Sequence, residues 1–435
     1  MKKIIFLLIL LLFTGHVSAN AETLTLDQFL DKVFKHSKDL KLSNEDSKYA
    51  KATKREAVSG ALPSVSASAG YNRNLSDYFM FVDFGDGPSK LKINKDNEYN
   101  LNVTVNQALF NGSVYNAIKA ARQYSKLTEY MYQASENEIM TVAKKSFYQA
   151  LLLNKVFKVA EKSEENALEN YNETKSGFEN GLKSEFEKLQ AEVRYKELIP
   201  QTTAAGRNYN ISILYLKNMA GINPDEELYL QGNLIDYPQP PADIKIENIL
   251  NQRPDYNAIV WEEKLRKTGV SADKAGRLPS LNGFFRYNYS AQSDEFKFEN
   301  ENNSYVIGLN LSIPIFTGGK TSSKIQKSKI ELSRSSINKN RMVDNIRTEA
   351  ANIRLRLTEA FSRIESAKSS FETAKKAFKI AMETSNVGLS TQLELKDSRV
   401  VLDQAEVYYY SAIYEYLDAY FDWDKATGKV IYGKP

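Results

Sequence analysis

The chain says nearly the same thing twice, and this constrains it more than any local motif does. Phe110 and Phe316 lie 206 positions apart, as do Gly112 and Gly318. Gly181 and Gly388 lie 207 apart, and so do Gly221 and Gly428. Pro63 and Pro279 are 216 apart, so the first copy holds ten extra residues between its proline and its phenylalanine. A fixed offset with one insertion is the mark of a duplicated architecture. Each copy reads as helix, two strands, very long helix, glycine turn, helix. The first repeat covers 22–222, with strands over 62–75 and 97–110 and helices over 112–178 and 183–220. A linker rich in proline and acidic residues fills 223–243. The second repeat covers 244–435, with strands over 279–290 and 303–316 and helices over 318–385 and 391–427.

The strand segments alternate strictly. Val65, Ala67, Ala69 and Tyr71 interleave with Ser64, Ser66, Ser68 and Asn72, and Tyr99, Leu101, Val103 and Val105 with Asn100, Asn102, Thr104 and Asn106. The second copy repeats this with Leu281, Phe285, Tyr287 and Tyr289, then Tyr305, Ile307, Leu309, Leu311 and Ile313. Period two over ten or more residues predicts strands with one apolar face, and about 9–11 tilted residues cross a bilayer. The chain's 26 tyrosines suit such strands. A soluble sandwich that buries the odd-numbered face is the competing reading. Residues 76–96, with Phe79, Phe81, Phe84, Gly85, Gly87 and Pro88, read as a long loop, and 291–302 as a shorter acidic one.

The helices are too long for a globular core. From Gly112 to Phe178 there is no proline and, before the end, no glycine except Gly112 itself. At ~1.5 Å per residue that stretch is roughly 100 Å. In its counterpart Phe361, Ile364, Phe371, Ala374, Phe378, Ala381 and Ser385 recur at threes and fours between charged flanks, a coiled-coil-like stripe.

Several classes of function drop out. The opening "MKKIIFLLILLLFTGHVSANA" has a basic start, a short apolar run and small residues at its end, the form of a secretory signal peptide over 1–21, cleaved after Ala21 or Ala19. There is no cysteine, so no disulfide and no thiolate site. Of two histidines, His16 lies in the signal, and His36 alone is a thin basis for a triad or a zinc cluster. "GGKTS" at 318–322 has the tail of a phosphate-binding loop, but Pro314 stands where such a loop needs its first glycine. The formal charge of +4 marks out no nucleic-acid surface. No cofactor or metal is expected.

Four amphipathic strands cannot close a membrane barrel, whose smallest members have eight. An open edge in lipid leaves backbone amides unsatisfied at several kcal/mol each. Strands in a membrane therefore imply chains that share a barrel, eight strands from two chains or twelve from three. Pro314 belongs at a strand's end, Phe316 at the membrane interface, and Gly318 and Gly319 allow the turn into the long helix. Phe110 and Gly112 mark the matching junction in the first copy.

With "IPIFTGG" at 313–319, "NQRPDY" at 251–256 and "VGLSTQLELKD" at 387–397, the whole mature chain resembles the TolC-like outer-membrane efflux proteins. The resemblance implies a homotrimer with four transmembrane strands per chain, a shared twelve-stranded barrel and a long coiled-coil helical barrel in the periplasm. It implies an exit duct that works with a periplasmic adaptor and an inner-membrane transporter of RND, ABC or MFS type, in efflux or type I secretion. The first copy departs from the family pattern at Ala108, at Ser113 and at "HSKDL" over 36–40. A periplasmic adaptor or structural coiled-coil protein, and an outer-membrane enzyme, are the alternative readings.

The turns at Gly181-Leu182 and Gly388-Leu389 fall at the far ends of the long helices and are the candidate adaptor contacts. Glu187, Gln190, Glu394 and Asp397 follow them. By the resemblance, Glu187, Glu394 and Asp397 match acidic positions that constrict the periplasmic mouth, and Gln190 stands opposite Asp397. Ser184-x-x-Glu187 and Thr391-x-x-Glu394 also read as capping boxes, so gating and capping are both open for the two glutamates. A ring of Asp397 side chains around one axis would favour cations.

Overall fold

A computed structural model describes residues 22–429 apart from 84, 86 and 388. The expected signal peptide with its cleavage site, and Gly388, lie outside the described residues. Along the chain run β1 (Glu22–Leu24), α1 (Leu26–His36), α2 (Lys38–Ser59), β2 (Ser64–Arg73), β3 (Phe79–Asp83), β4 (Pro88–Lys92), β5 (Asn97–Phe110) and α3 (Gly112–Glu179). Then follow α4 (Glu185–Ala220), β6 (Leu228–Leu230), α5 (Ile246–Gln252), α6 (Pro254–Ala275), β7 (Ser280–Ser293), β8 (Asn302–Ser312), α7 (Lys320–Asn386) and α8 (Gln392–Ala426). Helices α3 and α7 run unbroken for 68 and 67 residues because neither carries proline and the only glycines, Gly112 and Gly177, fall near the ends of α3. Two compact units form, each drawing on both sequence copies. One takes the described residues up to 41, 135–249 and those from 347 onward; the other takes 42–134 and 250–346.

In the second of these units the four long strands make one antiparallel sheet in the order β2-β5-β7-β8. The register carries the alternation across all of them: Ala67 faces Val103, Val103 faces Tyr287, and Tyr287 faces Tyr305. The row beside it reads Val65, Val105, Phe285, Ile307. A slip of one residue in any strand would scatter apolar side chains onto both faces, so the repeated pattern fixes the register. Among the described residues nothing covers this apolar face at β8 or along much of β2: Ile307 is 84% exposed and Val65 69%. The sandwich reading required that face to be buried.

Two strand readings are corrected. The segment 76–96 is not a plain loop, because β3 and β4 pair as a hairpin with Phe79 opposite Lys92 and Asp83 opposite Pro88. Gly85 and Gly87, both at positive φ, lie in its turn. The fourth long strand stops at Ser312 rather than reaching 316, since Pro314 has no amide to give a ladder. Ahead of β7, Pro254 opens α6 where its missing amide costs nothing, and the buried Arg253 before it forks onto the Asp255 carboxylate at 3.0 and 2.7 Å.

The other unit holds the main core. A capping box, Thr25 with Gln28, starts α1 and sets Phe29, Leu30 and Val33 inward, with the Phe29 ring 5.7 Å from that of Phe147 on α3. On α7 the buried stripe is Ile353, Leu357, Ala360, Ile364 and Ala367, a strict alternation of fours and threes, while Phe361 and Phe371 flank it half-buried. Across from it, Lys145 of α3 and Arg356 of α7 both pair with Asp418 and Asp422 of α8, at 2.6 to 3.1 Å. The linker 223–243 is bound down rather than free. Its β6 pairs in parallel with β1, a two-stranded sheet unforeseen from the sequence. Tyr416 donates to the Pro238 carbonyl at 2.9 Å, and Arg354 to the Pro241 carbonyl at 2.6 Å.

Candidate functional site

The turn from α3 to α4 is built by the helix's own carbonyls. The amide of Gly181 donates to the Phe178 carbonyl at 3.0 Å, and that of Leu182 to the Gly177 carbonyl at 2.7 Å. This pair of bonds is a Schellman stop, which needs a left-handed residue, and Gly181 supplies it at φ 71°. Gly177 is required for a different reason: a Cβ there would stand 2.7 Å from the Lys183 Cγ. The turn from α7 to α8 repeats the second of these bonds, with the Leu389 amide donating to the Thr384 carbonyl five residues back at 2.9 Å. Leu182 and Leu389 are 80% and 81% exposed.

Both following helices begin with the anticipated capping boxes. The Glu187 amide donates to the Ser184 hydroxyl at 3.2 Å, and the Ser184 amide to the Glu187 carboxylate at 2.8 Å. Thr391 and Glu394 repeat these two bonds at the same two lengths. Such a cap is worth about 0.5–2 kcal/mol. The Ser184 amide and hydroxyl, and then Lys183, hold the Glu187 carboxyl below its ordinary range. Lys183 reaches it at 3.3 Å across one helical turn, an i,i+4 pair that the sequence reading passed over.

The two turns meet at a polar crevice of about 290 Å³, lined by Glu187 and Gln190 from the first and Ser385, Ser390 and Thr391 from the second. Asp397 does not line it; it stands exposed on α8, three residues beyond Glu394. The strand-to-helix junctions belong to the other unit. There Asn111 caps α3, accepting from the amides of Ser113 and Val114 at 3.0 and 3.4 Å. A Cβ on Gly112 would stand 2.9 Å from that of Ala275, so glycine lets the end of α6 approach. Phe110 is exposed at the last position of β5. Past β8, Pro314 is followed by the exposed Phe316 and by Gly318 and Gly319 at φ 57° and 79°. Ser390 went unremarked in the sequence reading, and Ser385 entered it only as the last member of the coiled-coil-like stripe, because a serine near a turn carries no signal of its own.

A sheet with one exposed apolar face and helices of nearly seventy residues ending in matched turns define a class, that of channels in which strands are combined with a helical tube. The chain belongs to the outer membrane efflux protein family, whose model matches residues 29–221 and 245–429. It is 22% identical to the outer membrane protein TolC of Vibrio cholerae over 62% of its length, and 20% identical to that of Salmonella enteritidis over 76%. The matches span 60% and 66% of those relatives' own lengths. The fold is shared with the crystal structure of the Campylobacter jejuni CmeC outer membrane channel at a TM-score of 0.79 and 19% identity, covering 93% of this chain and 85% of that one. The family is one of outer-membrane ducts rather than enzymes, and the chain is accordingly a protein of the Gram-negative outer membrane.

Proposed function

We propose that the chain is the exit duct of a tripartite efflux or type I secretion system. Three copies share one twelve-stranded barrel in the outer membrane, and their long helices form a coiled-coil tunnel in the periplasm. A periplasmic adaptor docks at Leu182 and Leu389, and an inner-membrane transporter of RND, ABC or MFS type supplies the cargo. The observation that carries this reading is the sheet. Its apolar face is exposed at β8 and along much of β2, and among the described residues β2 and β8 are each paired on one side only. Hydrocarbon suits such a face, and neighbouring copies suit such edges. A soluble periplasmic adaptor would have no use for either.

Glu394 and Asp397, with Glu187 and Gln190, are proposed to line the closed periplasmic mouth. The caps engage the two glutamates without using Asp397, which leaves it the freest carboxylate for cations. Purified protein is expected to need detergent, to migrate as a heat-sensitive trimer and to conduct in planar bilayers. A detergent-independent monomer without conductance overturns the duct. Asp397→Ala is expected to weaken block by divalent cations added on the helix side; unchanged block removes Asp397 from the mouth.

A further inference from the structure

The face of the sheet opposite the apolar one is polar but almost without charge. Its residues on β2, β5, β7 and β8 are overwhelmingly serine, asparagine, threonine and glycine, and only Glu98 and Arg286 are charged. Glu98 is three same-face steps along the sheet from Arg286, roughly 20 Å at ~3.3 Å per residue, and takes a hydrogen bond from Asn74 at 2.8 Å. Arg286 is exposed and makes no ion pair among the described residues.

The guanidinium is nevertheless placed. It lies 5.6 Å from the centre of the Phe284 ring on the same face. That ring in turn lies over Gly308, where a Cβ would come within 2.7 Å of it. Beside them opens a concavity of about 540 Å³ to which Asn106, Asn282 and Asn310 contribute amide side chains. A guanidinium with its fork free, amide donors around it and no acid nearby is the donor set of a carboxylate or phosphate site.

We propose that Arg286, with these asparagines, forms an anion-binding station on the channel side of the sheet, selective for cargo bearing phosphate or carboxylate groups. The proposal rests on the duct reading, under which the polar face lines the lumen and three copies bring three Arg286 side chains around one axis. Anions are held there by charge, while the neutral face around it lets them leave. This is the opposite preference to that of the acidic mouth.

The test uses the purified full-length protein in planar bilayers, with inositol hexakisphosphate added to the chamber facing the loops 76–96 and 291–302. Wild type is expected to show voltage-dependent block. Arg286→Gln should weaken it about tenfold or more, and Arg286→Lys should keep part of it. The heat-sensitive trimer band of each variant checks assembly. Block that is absent from wild type, or equal in wild type and Arg286→Gln, overturns the station while the duct stands. A protein that conducts under no condition sinks the duct, and the station with it.

Discussion

Helix α4 is flanked by the same stop at either side, and the two differ only in what surrounds them. Before it, Gly181 and Leu182 close α3; after it, Gly221 and Ile222 close α4, with the Ile222 amide donating to the Lys217 carbonyl at 2.9 Å. Both glycines are left-handed, at φ 71° and 68°. In such a motif the residue after the glycine usually folds back onto the helix. Ile222 does so, at 7% exposure, while Leu182 projects at 80%. One backbone solution thus serves the chain's own core in one place and contributes an apolar side chain that the fold does not use in the other. A leucine that the fold does not use is available to a partner, and Leu389 repeats the arrangement.

The comparison can be broken most directly at the residue after the glycine. Ile222→Ala should destabilise by about 2–5 kcal/mol, whereas Leu182→Ala should fall within about 0.5 kcal/mol of wild type; thermal melts of the detergent-solubilised protein decide. If Leu182→Ala with Leu389→Ala melts like wild type but loses crosslinking to the adaptor from nearby positions, the spare leucines are the docking contacts. Equal melting losses at 182 and 222 would end the distinction.

The glycines sharpen it next. A Cβ at 181 meets nothing within 4 Å, but one at 221 would stand 2.8 Å from the His36 ring. Gly181→Ala should therefore cost only the left-handed strain, about 1–2 kcal/mol. Gly221→Ala should cost a further ~1–3 kcal/mol for the clash, read as a lower melting temperature. The two caps come third: Ser184→Ala and Thr391→Ala should each lose about 0.5–2 kcal/mol, Ser184→Ala the more, since its hydroxyl also donates to the Glu187 carboxylate at 2.9 Å. Equal losses would show that this extra bond adds nothing to the cap.

The smallest effect is that of pH. The Glu187 carboxyl is held below its ordinary value by Ser184 and Lys183. Its contribution is therefore full above the unfolded pKa and is lost as pH falls through the folded one. Glu187→Gln should narrow the stability gap from wild type as the medium is acidified below about pH 4.3, the usual glutamate value. A gap that holds constant across that range refutes the linkage.

Much of this was legible because strands with one apolar face and solvent-facing caps write local rules. Period two over Val65 to Tyr71 or Tyr305 to Leu311 gives both the strand and its apolar face. The spacings Ser184 to Glu187 and Thr391 to Glu394 give the caps. The hairpin of β3 and β4 escaped because Phe79-Met80-Phe81-Val82 is continuously apolar and only five residues pair on each side. The crevice escaped because Gln190 and Ser390 come together only when two hairpins meet, and neither position signals the other. The pairing of β1 with β6 escaped because three residues of each strand are too few to show a period.

That last pairing has a kinetic consequence. Glu22 meets Leu228 and Leu24 meets Leu230, so the first described residues cannot be zipped in place until two hundred more have followed. Contacts so distant are ordinarily slow to find. The emerging polypeptide should therefore leave Phe29, Leu30 and Val33 only partly shielded, with Phe147 of α3 beside Phe29, until α4 is complete.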